Sequence, residues 1–198
     1  MSNILKMSNA GGMDSALIAR YSDMLAGNAT YVPYSPTGAF DSLATVTVGA
    51  SAVSSVTFSG IPNTYTHLHL RGIYIGTANN SNAQFNGDSG SNYSWHYLDG
   101  TGATVTNGAG TTTTKFYTSV SGGTSTVPNA IITDISDYAN VNKYKTVKSL
   151  AGNDRNGSGD VNLQSGLWMS TSAVTSITVA PDSGTFSQYS TFALYGVR

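Results

Sequence analysis

The side chains best able to do chemistry sit in a few short strings. His67-Leu68-His69 sets two imidazoles two residues apart, and in a β-strand that spacing puts both on one face. Such a pair can hold a metal when a third ligand joins it. Only His96 remains to serve, and nothing in the sequence brings it near, so the pair reads as a polar outer strand face. In the run 154–160 (DRNGSGD), Asp154, Asn156 and Ser158 fall at the first, third and fifth positions of a calcium loop, with Gly159 at the sixth. The twelfth position is Ser165 rather than a bidentate Glu, and the chain has no Glu at all. A tight turn between two strands is the better account of the run. Gly87-Asp88-Ser89-Gly90 has the look of a serine-nucleophile string, but no matching His motif lies upstream, and Asn86-Gly87-Asp88 is turn chemistry. Asp134 and Asp137 could act as a carboxylate pair, yet their spacing in an irregular link is uninformative. There is no Gly-x-Ser-x-Gly elbow and no phosphate loop. These residues yield no catalytic set, no metal site and no cofactor, and the expectation is a protein that is not an enzyme.

Aromatic residues are the better clue. The chain has 12 Tyr and 2 Trp. Tyr93, Trp95 and Tyr97 share one face of a strand, and Tyr31 and Tyr34 lie in a Pro-containing link. Tyr and Trp offer large contact areas with few rotors, which suits core packing, subunit interfaces and sugar stacking. For the Trp95 face all three uses stay open, with core as the plainest.

Elements able to position these groups follow from composition. Gly, Ser, Thr and Asn make up almost half of the 198 residues. Ser, Thr and Asn compete with helical backbone for hydrogen bonds, and Gly loses too much entropy there, which disfavours a helical protein. Period-two alternation marks strands at 43–48, 53–58, 67–75, 83–85, 93–98, 115–120, 130–135, 143–150, 161–169, 174–179 and 192–197. Gly72 inside one of them suggests a bulge or a close backbone approach. Asn86-Gly87 signals a hairpin turn, and 99–114 reads as an exposed loop or mobile hairpin. So many short strands with polar turns predict an all-β, jelly-roll-like antiparallel sandwich over 41–198.

Residues 1–40 differ. Asp14 or Ser15 can cap a short helix over 16–25, ended by Gly27, with Leu17, Tyr21, Met24 and Leu25 on one face. So short a helix must pack on something, its own domain or a neighbouring subunit. Together with Tyr31 and Tyr34, these residues are the expected interface of an N-terminal arm. Partners of other kinds are disfavoured. The formal charge is -1, too little Lys and Arg for phosphate neutralisation, so no nucleic acid is expected. No apolar run approaches the ~20 residues of a membrane helix. Residues 1–12 lack the apolar centre of a secretory signal, and Cys is absent.

Several stretches carry a resemblance. Residues 41–76 (DSLATVTVGASAVSSVTFSGIPNTYTHLHLRGIYIG), 85–96 (FNGDSGSNYSWH), 131–154 (with DYANVNKYKTVKSLAGND) and 186–198 (FSQYSTFALYGVR) resemble a module common in structural proteins of tailed bacteriophages. The preceding 21–33 (YSDMLAGNATYVP) looks like the linker that leads into it. The resemblance implies a jelly-roll-like sandwich, oligomeric and commonly trimeric, located on the virion and without catalytic residues. Two roles follow from it. One is a capsid decoration or cement protein, attached to the major capsid protein through its arm. The other is a tail-fibre or tail-tip module among tail proteins, contacting host surface glycans.

Overall fold

The computed structural model describes residues 39–76, 80–120 and 126–198. The expected helix over 16–25 and the interface residues Leu17, Tyr21, Met24, Leu25, Tyr31 and Tyr34 lie outside them. Twelve strands form among the described residues, and no helix. They are β1 (Phe40–Thr47), β2 (Val56–Ser59), β3 (His67–Tyr74), β4 (Ser81–Phe85), β5 (Tyr93–Gly100), β6 (Val105–Thr113), β7 (Phe116–Ser119), β8 (Asn129–Ser136), β9 (Lys145–Asp154), β10 (Gly159–Trp168), β11 (Ser176–Pro181) and β12 (Thr191–Val197). Alternation drives them: β8 and most of β9 bury every second residue, as a sheet with one wet face requires.

All pairings are antiparallel, in an eight-stranded sheet ordered β1-β12-β3-β8-β9-β10-β5-β6 and a four-stranded sheet ordered β2-β11-β4-β7. The pairs β1–β12, β2–β11, β3–β8 and β4–β7 are those of one long hairpin whose ends stay together. Two further hairpins, β5–β6 and β9–β10, are inserted into it and widen the large sheet. The expected all-β class therefore takes the form of two antiparallel sheets.

Aromatic rings bridge the sheets. Phe85 of β4 and Phe116 of β7 meet Trp168 of β10 and Tyr93 of β5 at centroid distances of 5.6 and 6.1 Å respectively. Tyr74, Phe186 and Phe192 form a second ring cluster. Burial pushes the Tyr93 phenol up to about 12, and its oxygen accepts the Phe85 N–H at 3.0 Å. Lys145 is fully buried, its ammonium donating to the carbonyls of Asn140, Lys143 and Thr171. Burial and then the neighbouring Lys143 lower its pKa.

Two local alternatives are decided and one expectation needs correction. Of the two readings for 99–114, the hairpin is the one found and the loop is not: β6 pairs with β5 from Gly100↔Val105 to Tyr93↔Thr113. Its glycines permit this, because a Cβ on Gly108 or Gly110 would lie 2.5 Å from the Tyr97 or Trp95 ring. Asn86 and Gly87 do turn, with φ of 54° and 66°, but β4 and β5 belong to different sheets, so the turn passes the chain between sheets. Gly72 marks a close approach and no bulge, since β3 keeps unbroken register with β8 and β12.

Candidate interaction surfaces

The strings that suggested chemistry serve structure. His69 is buried on the outer face of the large sheet. Its Nδ1 lies 2.5 Å from Asp134 Oδ1, and its Nε2 accepts the Arg71 Nε–H at 2.9 Å. Both ring nitrogens are thus engaged. His67 Nδ1 accepts the backbone N–H of Asp137 at 3.0 Å, while the Asp137 carboxylate pairs with Lys143. Lys143 holds the Asp137 carboxyl below the usual range. Asp134 and Asp137 therefore have separate partners. In 154–160, Asp154 Oδ1 accepts the Asn156 N–H at 2.9 Å, and Asn156 and Gly157 have φ of 54° and 105°. That is the tight β9–β10 turn. With the end of the β5–β6 hairpin it borders a hollow of about 520 Å³, lined by glycines and by polar residues such as Asn153, Asp154 and Asp160.

Asp88 binds its own turn and the core. It accepts the Gly90 N–H at 2.9 Å, the Asn92 amide, and the buried Trp168 indole N–H at 2.7 Å. The Trp168 hydrogen bond, then that of Asn92, holds the Asp88 carboxyl below its ordinary value. A depressed folded-state pKa gives stability that is present above the unfolded value and lost as pH falls. Asp88→Ala is expected to cost about 1–3 kcal/mol at pH 7 by leaving the indole donor without a partner. The loss should shrink towards pH 3, as thermal melts across that range would read. A pH-independent loss would mean that the charge plays no part.

Two surfaces remain. The first is the outer face of the large sheet. Ile132, Leu150, Leu163 and Leu98 stand side by side on β8, β9, β10 and β5, linked by the pairings Ile132↔Leu150, Leu150↔Leu163 and Leu163↔Leu98. The next row runs Ile73, Ala130, Gly152, Val161, Gly100, Val105. The large apolar members of both rows are 38% to 71% exposed. At ~4.8 Å between strands and ~3.3 Å per residue, the rows cover roughly 300 Å², within the range of patches that serve recognition. The adjoining row is polar, with Asp134, Lys148, Ser165 and His96 in register. Sequence patterning gave the alternation on each strand but not the register that lines the leucines up.

The second surface is the opposite face of β5. The three expected aromatics divide: Tyr93 is core, whereas Trp95 and Tyr97 are half-buried. Their rings are nearly parallel, 20° apart with centroids at 5.9 Å, and lie over Gly110 and Gly108 of β6. Tyr117 of β7 meets Trp95 edge-on at 4.8 Å. Near Tyr117 stands Asp182, which accepts from Lys115 Nζ at 2.7 Å, Asn82 at 2.9 Å and Asn80 at 3.2 Å. Burial alone would raise the Asp182 pKa, but the Lys115 hydrogen bond and charge, with Asn80 and Tyr117, outweigh it and leave the carboxyl low. Burial, then the Asp182 charge, raises the Tyr117 phenol. Tyr117 and Lys115 escaped sequence reasoning because Asp182, which they meet, lies far along the chain. Compared with known protein families, curated proteins and solved structures, the chain matches none.

Proposed function

We propose that this chain is a non-enzymatic structural protein of a tailed-phage particle, a capsid decoration protein on the virion surface, held by its N-terminal residues 1–40. The body acts by adhesion to neighbours. The observation that carries this reading is the pair of exposed aliphatic rows on the large sheet. Apolar area of that kind gains ~25 cal/mol per Å² when it is covered. A second copy is the natural cover. The whole outer face, eight strands wide, offers roughly 750 Å² at ~4.8 Å per strand, near the ~800 Å² per partner of a stable interface. Homo-oligomerisation, trimeric by resemblance, would then multiply weak capsid contacts through effective concentration. A jelly-roll description of the body is supported by the pairing of an eight-strand long hairpin, β1–β12, β2–β11, β3–β8 and β4–β7, divided over two sheets.

A tail-fibre or tail-tip module is the second reading, favoured by the half-buried aromatics of β5. Counting copies per purified virion by quantitative mass spectrometry separates the two. Decoration predicts hundreds of copies spread over the capsid; a handful at one vertex would replace it with the tail role, and none would end both. Removal of residues 1–27 is expected to abolish particle binding while the sandwich stays folded. Retained binding would end the arm attachment.

A further inference from the structure

We propose that the ledge made by Trp95, Tyr97 and Tyr117 is a saccharide-binding site. The site is independent of where the chain sits on a particle, so copy number tests the particle role and ligand titration tests the site.

Saccharides are bound by two kinds of group together. Flat aromatic faces cover the C–H faces of pyranose rings, and fixed donors and acceptors meet the hydroxyls. Trp95 and Tyr97 supply the flat part. They sit two residues apart on β5, so both project from one side, and the missing Cβ atoms of Gly108 and Gly110 let them lie down on β6. Their near-parallel setting at 5.9 Å makes a strip two rings long, suited to consecutive units of a glycan chain. Tyr117 closes one side of Trp95.

The polar part is Asp182 with Lys115, Asn80 and Asn82. These side chains hold one another by hydrogen bonds of 2.7 to 3.2 Å, so little rotamer entropy is lost when a ligand arrives. Their capacity is not used up. An ammonium has three donors, and Lys115 spends one on Asp182. Asp182 and Lys115 remain 26% and 34% exposed. Their charges cancel, which fits a neutral polyhydroxyl ligand better than an anion.

The two faces of β5 differ in chemistry. The outer side presents Leu98 in an aliphatic row, whereas the ledge side presents rings and paired polar groups. A protein partner driven by apolar burial is served by the first, a sugar by the second.

The test is a titration of the full chain with maltohexaose, cellohexaose, mannohexaose and lipopolysaccharide-derived O-polysaccharide, following tryptophan emission. Trp168 is 3% exposed and supplies a steady background. At least one saccharide should give a saturable change that Trp95→Ala removes. Calorimetry should show affinity reduced about tenfold, the size expected for one lost stacking ring. Tyr97→Ala and Lys115→Met should each weaken binding, and they decide the matter if Trp95→Ala fails to fold. The proposal is overturned if no saccharide of the panel produces saturation up to about 10 mM. Binding that survives the ledge variants overturns it too. So does Trp95 emission that depends on protein concentration alone, which would mean that a second copy covers the ledge.

Discussion

Gly72→Val should lower stability by about 3 kcal/mol and the melting temperature by roughly 5–10 °C. Gly72 occupies the inward row of β3 between Phe192 of β12 and Ile131 of β8. A Cβ there would lie 2.8 Å from Phe192 Cδ1 and 2.9 Å from Ile131 Cγ1. Valine adds two further carbons to that clash. Phe192 cannot retreat freely, since it packs at 4.7 Å against Phe186, itself wholly buried. Denaturant melts should show a lower midpoint at unchanged slope. Gly72→Val combined with Phe192→Leu should lose less than the sum of the two single substitutions, because the contacts are shared. A valine variant as stable as the parent would mean that the inward row is looser than these distances allow.

If the aliphatic rows hold copies of the chain together as proposed, the double substitution Leu150→Lys with Leu163→Lys should disperse that oligomer and leave the body intact. Both leucines are about half exposed, so the isolated protomer should change by no more than about 0.5 kcal/mol. In an assembly that covers them, each leucine contributes ~1.5 kcal/mol or more. Association should then weaken roughly a hundredfold, before the burial of two ammonium groups is counted. Sedimentation velocity across a range of concentrations reads this directly. An unchanged distribution of species would show that the aliphatic rows face solvent in the assembly, and the adhesive role would need another surface.

Local patterning carried the strands. In β8 the string NAIITDIS alternates without a break, and the burial of Ile131 and Ile135 follows from it. His67 and His69 were placed correctly on the outer side of β3, opposite Leu68 and Leu70. The β9–β10 turn was legible because Asp, Asn and Gly at 154–157 satisfy their own backbone. The same chemistry misled at Asn86-Gly87, where the turn is real but its flanking strands join different sheets. A turn fixes the direction of a few residues and has no say over which strand comes alongside. In β6 the run VTNGAGTTT buries almost nothing, so period two had no signal to give; its place depends on Trp95 and Tyr97, which cover its glycines from the neighbouring strand.

By itself, then, the sequence determined the all-β class and, on strands with clear alternation such as β8, which residues face inward, because alternation and turn chemistry are local properties of the chain. The tertiary structure alone decided which strands are neighbours. That choice lines Leu98, Leu163, Leu150 and Ile132 into one exposed row and brings Asp182 and Lys115 beside Tyr117. Register across a sheet depends on how side chains from distant segments fill one shared interior, and no window along the chain contains that information.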